Sequence, residues 1–183
     1  MTHVTLAVTG SISAYKAADI TSQLGKLGYS VSVLMTEAAS HFITPLTLQV
    51  LSKNPVSLDL MDEPRPDKVN HIEIGKETNL FLVAPATANT IAKLANGLAD
   101  NMVTATALAL PSHVKKAIAP AMNTKMHENP LTQHNLERLK KFGWEIIAPR
   151  EAVLACGDHG TGALADVNII IEKVKEIINE KTI

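Results

Sequence analysis

Leu80-Phe81-Leu82-Val83-Ala84 is an unbroken apolar run. A strand with one wet face alternates apolar and polar side chains. An uninterrupted run must be covered on both faces, the condition of an inner strand in a parallel sheet flanked by helices. Pro85 closes the run, because it has no N–H to give to a ladder. Such a strand requires a chain long enough to wrap a sheet on two sides, and 183 residues suffice. We expect one domain over residues 1–183.

The flanking sequence supplies strands and helices in alternation. Val4–Thr9, Ser30–Thr36, Val114–Ala119 and Trp144–Ala148 read as further strands. Ala14–Leu27 reads as a helix with Ala17, Ile20, Leu24 and Leu27 on one stripe, closed by Gly28. Glu37–Phe42, Pro45–Ser52, Thr87–Ala95, Ala99–Leu110 and Pro130–Phe142 read as helices. Asp166–Glu180 is an amphipathic helix with Ile170, Val174, Ile177 and Ile178 inward. Residues 54–70 carry three prolines and read as a loop with a short edge strand. Residues 151–162 read as a glycine-containing loop. The pattern predicts an α/β fold, Rossmann-like and flavodoxin-like: a doubly wound, mostly parallel sheet with helices on both faces. Ligands of such folds bind beyond the carboxyl ends of the strands. Gly10–Ser13, Thr36, Ala84–Thr90, Ala119–Asn123 and 151–162 all follow strands, so they are expected at one edge of the sheet.

Charge narrows the function classes. Lys plus Arg is 17 against 18 for Asp plus Glu, a formal charge of −1. No basic field draws nucleic acid or anionic lipid, and 3% aromatics gives little base-stacking surface. The one cysteine, Cys156, excludes an internal disulfide and fits a reducing compartment. The N-terminus reads as a strand rather than a secretion signal. No apolar run approaches the ~18 residues of a membrane span. A cytoplasmic protein is expected.

Five segments can carry chemistry. Gly10-Ser11-Ile12-Ser13 sits between a strand and a helix, where free N–H groups and hydroxyls can hold a phosphate; a plain turn with a serine cap uses the same residues. It is not the dinucleotide pattern of three spaced glycines, so a mononucleotide suits it better. Pro85-Ala86-Thr87-Ala88-Asn89-Thr90 opens a helix with small residues that let a flat ligand approach, or simply caps it. His71 can shuttle protons near neutral pH, although a single histidine is more often a surface or capping residue. Asn123, in Pro120-Ala121-Met122-Asn123, can grip a carboxylate or amide, or serve as a turn residue. Ala155-Cys156-Gly157-Asp158-His159-Gly160-Thr161-Gly162 reads as a mobile flap near 151–164. Its thiol is either a proton donor or an inert buried group. One cysteine and scattered histidines make no recognisable metal set.

In this order the five segments resemble the flavin-containing cysteine decarboxylase family over nearly the whole chain. The likeness is greatest to members that convert 4'-phosphopantothenoylcysteine to 4'-phosphopantetheine in coenzyme A biosynthesis. The resemblance implies a carbon–carbon lyase with FMN as cofactor, bound between subunits of a homotrimer that can build a dodecamer. It implies that Gly10, Ser11, Ile12 and Thr36 hold the phosphate end, and that Thr87, Ala88, Asn89, Thr90 and Ala121 line the ring and ribitol. It assigns catalysis to His71 and Cys156, and substrate binding to Asn123 and Ala155. The implied chemistry passes two electrons from the cysteine Cβ–S unit to the flavin to give a thioaldehyde, loses CO2 to give an enethiolate, and then reduces that product with the hydride returned by the flavin and a proton from the flap cysteine. Thr87 and Ser13 depart from the family's usual Ser and Ala. The chain stops at Ile183, so the synthetase step fused to many relatives is expected on a separate protein. Three other readings fit the resemblance less well. One is an oxidative decarboxylase of peptidyl C-terminal cysteine, which does not need the flap cysteine. The second is a flavin prenyltransferase, which lacks the Asn123 and Cys156 motifs. The third is a non-catalytic flavoprotein regulator, which usually adds long acidic tails.

Overall fold

The computed structural model describes residues 1–155, 157 and 159–180. Its central sheet has six parallel strands: β1 (His3–Val8), β2 (Ser30–Met35), β3 (Val56–Ser57), β4 (Leu80–Ala86), β5 (Lys115–Pro120) and β6 (Trp144–Ile146). Their order is β3-β2-β1-β4-β5-β6. Setting aside the two-residue edge strand β3, the long strands run in the flavodoxin-like order, with the chain turning in opposite directions from the β1/β4 pair. That pair is in register from Val4 opposite Leu80 to Ala7 opposite Val83.

The apolar run does what its composition requires. Every residue of β4 is buried. Leu80, Leu82 and Ala84 face one core with Val4, Leu6 and Val8. Phe81, Val83 and Ala86 face the other with Ala7 and Leu34. The first core is closed by α1 (Lys16–Lys26), α3 (Pro45–Ser52) and α9 (Val167–Asn179), through Ile20, Leu24, Leu48, Ile170 and Val174. The second is closed by α5 (Ala88–Asn96), α6 (Met102–Leu108) and α8 (Pro130–Lys141), through Ile91, Met102, Val103, Leu136 and Leu139. Phe81 meets Trp144 edge to face at 6.2 Å between ring centres.

The remaining elements are α2 (Glu37–Ser40), α4 (Asn70–Glu77), α7 (Thr124–Glu128) and the strands β7 (Arg150–Val153) and β8 (His159–Ala163). Several boundaries move for identifiable reasons. A 3-10 turn at Ile12–Tyr15, capped by Ser11, precedes α1. Gly28 ends the α1 turn at φ +84°, a conformation glycine adopts without strain. The helix expected over 99–110 is shorter, because Asn101 caps it with a reciprocal box: its side chain accepts from the Thr104 N–H while Thr104 Oγ1 accepts from the Asn101 N–H. His71, expected just before a helix, instead stands in the first turn of α4, which starts at Asn70. The glycine-containing loop is mostly an antiparallel hairpin of β7 and β8, outside the central sheet. Among the described residues no helix is long and apolar enough to cross a membrane.

Phe81→Ala removes a fully buried ring from the second core. We expect a loss of about 3–5 kcal/mol, read as a lower urea midpoint with an unchanged m-value.

Candidate active site

The strand ends converge on one cavity of about 890 Å³, within the usual ligand-pocket range of roughly 300–1,000 Å³. Its walls include Gly10, Ser11, Ile12 and Ser13 after β1, and Thr36 after β2. Thr87–Thr90 follow β4, Ala121, Met122 and Asn123 follow β5, and Ala155 follows β7. The sequence therefore located this wall correctly from all four inner strands and the hairpin. His71 is not among the lining residues. It lies on α4, half-buried, and its Nδ1 is buried with no partner among the described residues. Cys156 and Asp158 lie outside the described residues.

The site loops are tied to one another by hydrogen bonds that continue the sheet ladder past its strands. The Thr36 N–H donates to Val8 O at 3.0 Å, and the Ala121 N–H to Ala86 O at 3.0 Å. The Met122 N–H donates to Gly162 O at 2.9 Å, bringing the hairpin onto the β5 loop. The Ala84–Pro85 peptide is cis.

Three capped helical starts face the cavity. Ser11 accepts from the Ser13 N–H, Thr36 from the Ala39 N–H, and Thr87 Oγ1 from the Thr90 N–H at 3.2 Å. Each residue thus serves both as a cap and as a wall, so the two readings of these motifs are compatible. Asn123 likewise caps α7, accepting from the Lys125 N–H at 2.9 Å. Gly10 allows the first turn to press on α2: a Cβ there would lie 2.5 Å from Ala38 Cβ.

The hairpin glycines have different roles. Gly157 sits in the connecting turn at φ +88°. Gly160 and Gly162 are on β8, two residues apart on one face, and both abut the β5 loop. A Cβ at Gly160 would stand 2.6 Å from Thr124 Oγ1, and one at Gly162 would stand 2.2 Å from Met122 O. These two glycines permit close backbone approach.

Sequence reasoning missed several charged wall residues: Lys16, Lys93, Asp100 and Arg150. Lys93 Nζ meets Asp100 Oδ2 at 2.5 Å, and that hydrogen bond holds the Asp100 carboxyl below its usual range. Arg150 Nε pairs with Asp166 at 3.1 Å. Lys93 was detectable as the residue one helical turn beyond Asn89. The Lys93–Asp100 contact joins α5 to the α6 cap and could not be read locally.

The cavity has one end rich in hydroxyls and helix N-termini and walls that include the small or apolar Ala88, Ala121, Met122, Leu154, Ala163 and Leu164. That donor set fits a flavin mononucleotide. The phosphate would take the hydroxyl-rich end, where positive helix ends favour an anion, and a flat ring the apolar wall. Fold and cavity together define a doubly wound α/β domain with a mononucleotide-type site.

The chain belongs to the Flavoprotein family, which matches residues 1–179. It is 62% identical to the probable phosphopantothenoylcysteine decarboxylase of Streptococcus mutans, covering 94% of this chain and 97% of that one. It is 43% identical to the coenzyme A biosynthesis bifunctional protein CoaBC of Bacillus subtilis, covering 98% of this chain but 44% of that longer protein. Among solved structures, a cysteine-to-serine variant of a PPC decarboxylase complexed with pantothenoylaminoethenethiol superposes with a TM-score of 0.85 at 32% identity, covering 96% of this chain and 97% of that one. The FMN-dependent cysteine decarboxylase SpaF gives a TM-score of 0.85 at 27% identity, covering 97% and 95%.

Gly162→Ala forces a methyl group onto the Met122 carbonyl. We expect a stability loss of about 1–3 kcal/mol and faster amide exchange at Met122. Gly25→Ala, whose Cβ would meet nothing within 4 Å, is the control and should cost nothing.

Proposed function

We propose that this chain binds FMN in the strand-end cavity and decarboxylates 4'-phosphopantothenoylcysteine to 4'-phosphopantetheine in the cytoplasm. The observation that carries the reading is convergence: the strand-end segments that resemble the cysteine decarboxylases meet at one cavity, in a chain 62% identical to a probable enzyme of that activity.

A cysteine carboxylate has no neighbouring carbonyl to accept the electrons left by departing CO2, and bound FMN supplies a reversible two-electron acceptor that makes a sink available. The chain's own residues bind and orient. Gly10, Ser11, Ile12 and Thr36 hold the cofactor phosphate, and Thr87–Thr90 and Ala121 line its ring and ribitol. Asn123 donates an amide N–H to the substrate carboxylate beside Ala155. His71 moves a proton during oxidation of the Cβ–S unit. Cys156 donates the proton taken up as the enethiolate is reduced, and the net reaction is non-oxidative because bound FMN would return the two electrons it accepted. His71 is absent from this cavity's wall and reaches a site shared with a neighbouring subunit of a trimer. The resemblance to the cysteine decarboxylases, which implies a cofactor bound between subunits, supports that assignment.

The visible spectrum of the purified protein tests the cofactor, with the released chromophore identified by chromatography. We expect a yellow protein that releases FMN and evolves CO2 from phosphopantothenoylcysteine. A colourless protein that takes up no added FMN overturns the proposal. Cys156→Ser should keep FMN and accumulate the enethiol; complete turnover to phosphopantetheine would remove that role. His71→Asn should keep FMN but release no CO2. Co-assembled with Asn123→Asp, it should regain part of the activity if the site is shared, whereas a mixture that stays inactive places both residues in one subunit's site.

A further inference from the structure

Thr9 is fully buried and is absent from the cavity wall. It nevertheless joins the two turns that make most of that wall. Its Oγ1 donates to Pro85 O at 2.7 Å and accepts from the Thr87 N–H at 3.0 Å. Its backbone carbonyl accepts the Ser11 N–H at 2.8 Å. Thr9 therefore holds the turn after β1 by its main chain and the turn after β4 by its side chain. A hydroxyl has one proton to give and can accept as well, so both contacts are made by one atom in its proper roles.

Four connections tie the site loops together: Val8 to Thr36, Thr9 to Pro85 and Thr87, Ala86 to Ala121, and Gly162 to Met122. Three of these four are backbone to backbone and survive any ordinary substitution. The Thr9 connection is made by a side chain, and it crosses between β1 and β4, the switch point where the cavity opens. Thr87 in turn caps α5 and presents Ala88, Asn89 and Thr90 to the cavity.

We propose that the Thr9 hydroxyl is a positioning group for the cofactor site. It sets the spacing of the Gly10–Ser13 turn against the Thr87–Thr90 turn without touching what binds between them. The inference rests on the reading that this cavity takes FMN. Valine has nearly the shape of threonine but can neither donate nor accept. It leaves the buried Pro85 carbonyl and the Thr87 N–H without their present partner, while the apolar packing is kept.

The test compares FMN dissociation constants, by quenching of flavin fluorescence, for the wild type, Thr9→Val and Thr9→Ser. Thermal midpoints and amide exchange at Thr87 are read on the same proteins after flavin removal. We expect Thr9→Val to weaken FMN about tenfold or more and to speed exchange at Thr87. Thr9→Ser should restore both to within about threefold of wild type. A folded Thr9→Val protein with wild-type affinity overturns the inference, and so does a Thr9→Ser protein as weak as Thr9→Val, because the hydroxyl would then not be the cause. If Thr9→Val does not fold, Thr9→Ala takes its place under the same criteria. A wild type that binds no FMN overturns the proposed function and this inference together. A wild type that binds FMN as tightly as Thr9→Val overturns the inference alone.

Discussion

The parallel pairing of β1 with β4 fixes where everything else in the molecule can go. Because both strands are covered by helices on either side, their residues split cleanly into two cores, and each helix layer is placed by the apolar face it meets. Because the chain turns in opposite directions from this pair, the loops leaving β1 and β4 part and leave a crevice between them. The phosphate-type turn at Gly10–Ser13 and the capped turn at Thr87–Thr90 are the two lips of that crevice. Burial of an inner strand on both faces, at about 1.5–3 kcal/mol for each large apolar side chain, gives the crevice a rigid base.

Beyond the strands, the loops remain ordered by continuing the sheet's own hydrogen-bonding pattern. Each loop donates to or accepts from the next, from Thr36 through Val8 and Thr9 to Pro85, Ala86, Ala121, Met122 and Gly162. The hairpin is the last member of this series. It reaches the β5 loop only because Gly160 and Gly162 have no side chains in the space occupied by Thr124 and Met122. The placement of Asn123 is thus coupled to the hairpin that supplies Ala155 to the same cavity.

Some of the charged groups around the site are ion-paired, whereas Lys16 and Glu37 on the same wall have no ion-pair partner among the described residues. Lys93 is matched by Asp100 and Arg150 by Asp166. Away from the cavity, Glu73 on α4 is held to about 2 by hydrogen bonds from Lys68 and Lys76. It therefore stays ionised at any pH where the protein would work.

Much of this was legible in the sequence because it is local. The run Leu80–Ala84 identified a doubly covered strand, Gly28 a helix stop, and the small polar residues after each strand a common edge with the shape of a ligand site. Segment types and cap residues depend on neighbours a few positions away, so a linear reading finds them. The hairpin was not legible, since Gly160 and Gly162 serve a contact with residues 122–124 and not the conformation of their own loop. Thr9 read as the end of a strand, and its importance lies in partners 76 and 78 positions distant. His71 was marked as chemically apt, but only the tertiary structure showed that it stands off the cavity its own chain builds. Sequence determined the elements, their order and the chemical character of the site. The fold decided which side chains share a space, because hydrogen bonds and close packing between distant segments depend on three-dimensional distances that spacing along the chain does not encode.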